Sequence, residues 1–179
     1  MTAPALRGVT LILGGARSGK SRFAEELVEA TGFDRLYVAT AAAYDEEMAV
    51  RIAEHKARRA GWRTVEAQRG LAAVLRTESG PERAILVDCL TLWLSNLLLA
   101  GVEPAGEVEG LLEALRAARG PVVLVSNEVG FGIVPDNALA RAFRDHQGRL
   151  NQRVAALADR VTLVAAGLPL DLKLPKEPQ

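Results

Sequence analysis

Eight residues near the start of the chain, GGARSGKS, combine types that bind phosphate: Gly14, Gly15, Ala16, Arg17, Ser18, Gly19, Lys20 and Ser21. They fit the spacing G-x-x-x-x-G-K-[ST], with a short apolar run before them and helical spacing after. The glycines let backbone N–H groups turn inward around phosphate oxygens. Lys20 can reach β- and γ-phosphates, and the Ser21 hydroxyl can hold Mg²⁺. A helix beginning at this point adds its positive end. The chemistry implied is binding of a nucleoside triphosphate. Asp88 closes a second apolar run, residues 84–87, and an acid at the C-terminal end of a parallel strand lies on the ligand-binding edge. It can organise a metal ion with Ser21, or it can simply cap the helix expected from residue 91.

The stretch RIAEHKARR, residues 51–59, holds one of only two histidines. On a helical wheel His55 falls between the apolar stripe of Met48 and Ile52 and the edge formed by Arg51 and Arg58. One reading is a histidine packed at the core margin. The other is chemical: a neutral imidazole is a nucleophile without prior deprotonation, and attack on an α-phosphate would leave a nucleoside monophosphate on nitrogen. Arg51, Lys56, Arg58 and Arg59 would neutralise the phosphates. His146 lacks such company and reads as solvated or structural. On these residues alone, a small-molecule kinase and a motor-type ATPase core fit equally well.

Residues with these duties need a scaffold. Apolar runs predict strands at 9–13, 35–40, 62–66, 84–87, 121–126 and 161–165, and residues 168–174 alternate apolar and polar like an edge strand. Helical spacing predicts helices at 20–30, 45–59, 71–76, 91–99, 107–119 and 137–158. Helix 45–59 carries strong end signals: Asp45 as cap, Glu46 and Glu47 in its first turn, Arg58 and Arg59 in its last, and Gly61 beyond. Strands alternating with helices imply an α/β fold with a mostly parallel sheet covered on both faces. With 179 residues, no internal repeat and no linker, the expectation is one nucleotide-binding domain over residues 1–179.

Composition narrows the partners. The net charge is zero and aromatics make up 4 % of residues, which excludes an advertised polyanion surface and a base-stacking platform for nucleic acid. Cys89 is the only cysteine, which suits a reducing compartment. The first residues lack the pattern of a signal peptide, and the apolar stretch 90–102 is too short to span a bilayer. A cytoplasmic location is expected. Trp62 and Trp93 read as packing residues rather than base stackers.

Further blocks sharpen the reading. YVAT, DEEMAVRIAEHKARR, WRTVE, ILVDCLTLWLSNLL, VSNEVGFGIVP and LARAFRDHQGRLNQRVAALAD follow GGARSGKS in order, from about residue 11 to residue 173. The whole string resembles the bifunctional adenosylcobinamide kinase/adenosylcobinamide-phosphate guanylyltransferase family of cobalamin synthesis. The resemblance implies two reactions. The first phosphorylates the aminopropanol hydroxyl of adenosylcobinamide with ATP or GTP. The second moves GMP from GTP onto that phosphate, releasing pyrophosphate. It implies a RecA-like P-loop fold, a homotrimer and a histidine that carries GMP, which falls on His55. Some relatives have two adjacent histidines here; in this chain Glu54 precedes His55, leaving one candidate. It also implies nucleotide contacts from the phosphate loop, from Ala39, Thr40 and Ala41, from Lys56, Ala57, Arg58 and Arg59, and from Glu66 and Asp88. Glu66 could accept hydrogen bonds from a guanine edge, or stand as a solvated strand-end acid. Glu128, in the glycine-bearing loop after the strand at 121–126, could serve as the base of the kinase step or stabilise its turn. Arg141, Arg144 and Arg149 could bind phosphate or corrinoid, or form surface ion pairs.

Overall fold

The computed structural model describes residues 6–41 and 59–175. Strands β1 (Val9–Gly14), β2 (Asp34–Ala39), β3 (Arg63–Glu66), β4 (Arg83–Asp88), β5 (Val122–Asn127), β6 (Arg160–Ala165) and β7 (Leu168–Lys173) form one sheet in the order β3-β2-β4-β5-β1-β6-β7. All neighbours pair in parallel except β6 and β7, which form an antiparallel hairpin at one edge. The helices among the described residues are α1 (Lys20–Glu29), α2 (Leu71–Glu78), α3 (Leu90–Leu99), α4 (Pro104–Arg116) and α5 (Ala138–Leu157).

The central strands are buried on both faces, so their sequences are continuous apolar runs rather than alternating ones. Alternation survives in what each side chain touches. Val9, Leu11 and Leu13 of β1 enter a core shared with α2, α3, α4 and α5, whereas Ile12 enters a second core with Ala24 and Val28 of α1. Helices thus cover both faces, as the sequence implies. Trp93 is fully buried in the larger core, and Trp62 donates from Nε1 to Glu29 Oε1 at 3.3 Å; both are packing residues.

Several boundaries differ from the sequence reading. Helix α3 starts at Leu90, with Cys89 extended at the N-cap position, so Asp88 is the last residue of β4 and not a cap. Helix α4 starts at Pro104 rather than 107, because proline is already preset for the first helical position and lacks only an N–H that would find no partner there. At α5 the Asn137 side chain accepts from the Ala140 N–H at 2.8 Å, a regular cap. The helix expected at 45–59 falls, apart from Arg59, outside the described residues, and His55, Lys56, Ala57 and Arg58 fall there with it.

Candidate functional site

Parallel strands put their C-terminal ends on one edge, and the sheet register fixes what meets there. Ala39 pairs with Glu66 on one side and with Asp88 on the other, so three of the sequence-predicted residues form a row across β3, β2 and β4. Gly14 pairs with Asn127 at the end of β5. Strand β5 lies between β1 and β4, so the turn after it stands between the phosphate loop and Asp88. Four strand spacings, roughly 19 Å, separate the phosphate-loop strand from the Glu66 strand.

The phosphate loop is shaped by close approach. A Cβ at Gly14 would lie 2.5 Å from both Ser18 Oγ and the Val164 carbonyl oxygen, so only glycine fits. Gly19 has φ +95° and directly precedes α1. Lys20 Nζ donates to the Gly15 carbonyl at 2.9 Å, which folds the lysine back over the loop, and Ser21 sits in the first turn of α1. Ser18 Oγ is buried without a hydrogen-bond partner among the described residues. The loop is also held from outside. The β6–β7 hairpin turns through Ala166 and Gly167, both with positive φ, and the Gly167 N–H donates to the Ser18 carbonyl at 2.8 Å.

Not every predicted contact residue faces solvent. Thr40 is fully buried: its hydroxyl donates to the Cys89 carbonyl and accepts from the Cys89 N–H, both at 2.7 Å, while Asn96 Nδ2 donates to its carbonyl at 2.8 Å. Thr40 thus ties the end of β2 to the start of α3, and Ala39 and Ala41 beside it are half-buried. Arg59 is also buried. It pairs with Glu25 at 3.2 Å, the side chains 4 % and 10 % exposed, and its guanidinium lies 3.3 Å above the Tyr37 ring. Arg59 therefore pins the chain to α1 and β2 where the described structure resumes. Glu66 is exposed and Asp88 half-buried. Burial first, and then the negative charge of Asp88, push the Cys89 thiol up to about 12 and the Tyr37 phenol upward as well. Cys89 is the small buried residue that its sequence context suggests.

Around Glu128 the structure adds Ser126, Gln147 and Asn151, which the sequence did not mark. The Glu128 N–H donates to the Gly14 carbonyl at 3.2 Å, and Glu128 Oε1 accepts from Asn151 Nδ2 at 3.0 Å. Asn151 Nδ2 also donates to the Asn127 carbonyl. Ser126 Oγ donates to Asn151 Oδ1 at 2.7 Å, and Gln147 Nε2 donates to both Ser126 Oγ and Asn151 Oδ1 at 2.9 Å. The Asn127 N–H donates to Thr91 Oγ1 at 2.9 Å. Ser126, Gln147 and Asn151 are all buried. Gln147 and Asn151 are four residues apart on one face of α5, the spacing that could have signalled a polar stripe turned inward.

Of the arginines on α5, Arg141 donates from Nη1 to the carbonyls of Pro135 and Asp136, closing the loop before the helix, and Arg144 pairs with its neighbour Asp145. Arg149 lines a shallow depression of about 380 Å³ with Gly130, Arg144, Asp145, Gly148 and Gln152. His146 is half-buried on the same helix. Among the described residues no cluster of three His, Cys, Asp or Glu side chains could enclose a metal ion. Ser21 and Asp88 would supply one hydroxyl and one carboxylate, a set that suits Mg²⁺ sharing its shell with phosphates and water. No helix among the described residues is long and apolar enough to cross a membrane.

A family model described as cobinamide kinase / cobinamide phosphate guanyltransferase matches residues 10–172. The chain is 54 % identical to a bifunctional adenosylcobalamin biosynthesis protein of Pseudomonas aeruginosa, over 91 % of this chain and 96 % of the relative. It is 45 % identical to a protein of the same description from Salmonella typhimurium, over 91 % and 98 %. Among solved structures, the flagellar accessory protein FlaH of Methanocaldococcus jannaschii matches with TM-score 0.60 at 13 % identity, over 96 % of this chain and 80 % of that one. The RadB recombinase matches with TM-score 0.53 at 17 % identity, over 90 % and 75 %. These two likenesses establish the P-loop NTPase fold, with its mostly parallel sheet and antiparallel edge strand.

Proposed function

We propose that this chain, which belongs to the cobinamide kinase / cobinamide phosphate guanyltransferase family, carries out two reactions at the sheet edge described above. In the first, ATP or GTP phosphorylates the hydroxyl of adenosylcobinamide. In the second, GTP transfers GMP to the resulting phosphate through His55, giving adenosyl-GDP-cobinamide. The observation that carries this reading is the match over residues 10–172, which takes in both the phosphate loop and His55.

In the kinase step the loop from Gly14 through Gly15, Ala16, Arg17, Ser18 and Gly19 cradles the phosphates. Lys20 neutralises charge as the γ-phosphoryl group moves. Ser21 and Asp88 would hold Mg²⁺, which would supply charge neutralisation at the phosphates. In the guanylyl step an imidazole nitrogen of His55 attacks the α-phosphorus of GTP. A P–N bond forms, the bond from the α-phosphorus to the bridging oxygen breaks, and pyrophosphate leaves. An oxygen of the corrinoid phosphate then displaces the histidine. Lys56, Ala57 and Arg58 contact the phosphates of this nucleotide. Glu66 accepts from the guanine edge, Ala39 and Ala41 line the space between, and buried Thr40 holds their backbone to the start of α3. Arg59 contributes by anchoring the end of that segment through Glu25. The enzyme is a single cytoplasmic domain that assembles as a homotrimer and acts without nucleic acid. An exposed leucine row on β7 supports an assembly that covers apolar surface.

Incubation with Mg²⁺ and GTP radiolabelled at the α-phosphate tests the covalent step. The expected result is an alkali-stable, acid-labile label on the protein that is lost in His55→Ala. Absence of label in protein shown separately to bind GTP would leave His55 a structural residue and the chain a plain kinase.

A further inference from the structure

The two proposed reactions differ in one chemical demand. The kinase step uses an alcohol as acceptor, and an alcohol holds its proton at neutral pH. The guanylyl step uses a phosphate monoester, whose second pKa near 6 leaves it ionised at neutral pH. A general base is needed for the first and not for the second. The catalytic assignment made so far contains no such base: Lys20 is cationic, Asp88 is assigned to Mg²⁺, and His55 is the nucleophile of the other step.

One carboxylate outside that assignment is held at the right place. Glu128 directly follows β5, the strand between the phosphate loop and Asp88. Its backbone N–H is tied to Gly14, the first residue of the loop. Its carboxylate accepts from Asn151, whose other amide bonds run to Ser126 and the Asn127 carbonyl, with Gln147 donating into the same group. Three buried polar side chains are thereby committed to the end of β5. Packing alone would favour apolar residues at these positions of α5, because burying amides is costly unless their hydrogen bonds are met. A turn held only for stability would need the backbone bond to Gly14 and not a carboxylate fixed by a buried network.

We infer that Glu128 is the general base of the kinase step, and that Asn151 and Gln147 are positioning residues that hold its carboxylate toward the acceptor hydroxyl. This rests on the functional reading above. The acceptor oxygen attacks the γ-phosphorus, and an O–P bond forms. The bond from the γ-phosphorus to the bridging oxygen breaks, and the nucleoside diphosphate leaves with that electron pair. The hydroxyl proton passes to Glu128 and then to solvent.

Glu128→Gln is the decisive variant, because its amide oxygen can still accept from Asn151 while the base is gone. Kinase turnover on adenosylcobinamide and guanylyl transfer to separately supplied adenosylcobinamide phosphate are measured side by side, with binding of a fluorescent ATP analogue as a check on folding. Glu128→Gln is expected to lower kinase kcat by about 100-fold or more. Nucleotide affinity and guanylyl transfer should stay within about threefold. Asn151→Leu should lower kinase kcat while leaving the KM for ATP in place, with partial recovery in Asn151→Gln. If wild-type protein runs both reactions and Glu128→Gln runs both equally well, the assignment of Glu128 falls and the functional reading stands. If wild-type protein phosphorylates no adenosylcobinamide, the functional reading falls and takes the base with it.

Discussion

At the scale of single residues, type and spacing spoke clearly where the chemistry needs a fixed local pattern. Lys20 and Ser21 open α1 directly after Gly19, in the strand–loop–helix context that their motif implies. For Gln147 and Asn151 the four-residue spacing is the only signal, since an amide on an amphipathic helix ordinarily reads as solvent-facing, and it is the packing of α5 against β5 that turns these inward. Arg59 was read as a phosphate ligand from its charged neighbours, whereas its guanidinium lies between Glu25 and Tyr37. Asp171 is a further case of charge bound by tertiary contact. Arg160 donates to both its oxygens, at 2.9 and 3.1 Å, and Thr162 donates at 2.6 Å. Partial burial opposes its ionisation, but these hydrogen bonds outweigh that and hold the carboxyl below the usual carboxylate range. A lowered folded pKa adds stability that is complete above the ordinary value of 3.8 and is lost as the pH falls below it. Urea midpoints measured between pH 6 and pH 3, roughly spanning that window, should fall less steeply at the acid end in Asp171→Asn than in wild type.

At the scale of elements, every described strand was foreseen, because buried parallel strands are short apolar runs bounded by turn residues. Helix starts were less legible: the start of α4 three residues early and the start of α3 one residue early both depend on where the preceding loop leaves the chain. The contact between the β6–β7 turn and the phosphate loop could not be read at all, since residues 19 and 167 are remote in sequence. It carries a prediction. A Cβ at Gly19 would lie 3.3 Å from Gly167 Cα, on a backbone with φ +95°. Gly19→Ala should therefore shift the loop and weaken ATP or GTP binding by about tenfold, equivalent to ~1.4 kcal/mol. Isothermal titration would register it, and unchanged affinity would mean the loop tolerates displacement by its neighbour.

At the scale of the molecule, the sequence supports a parallel α/β sheet but not its strand order, which is set by pairing between distant segments. That order decides which acids meet the phosphate loop, and it brings Glu128 rather than a residue of β2 next to it. The opposite edge of the sheet offers a different surface. Leu168, Leu170 and Leu172 of β7, with Leu174 just beyond it, are 57–72 % exposed, and β7 has no pairing partner on its outer side among the described residues. Unprotected edges with apolar faces invite association. Light scattering should give a particle of about three times the 19.1 kDa chain mass, and Leu170→Lys should lower it. A wild-type particle of one chain mass would remove the trimer.

The bond from Gly167 to Ser18 also has a temporal meaning. The phosphate loop leaves the ribosome long before the turn that braces it. Strand β1 must likewise wait for β5 and β6 before either of its edges is paired. A nascent chain therefore carries the complete nucleotide motif long before it owns a nucleotide site. Ligand cannot guide folding before β5 and β6 are made, and a chain cut short before Gly167 holds the signature without the bond that braces it.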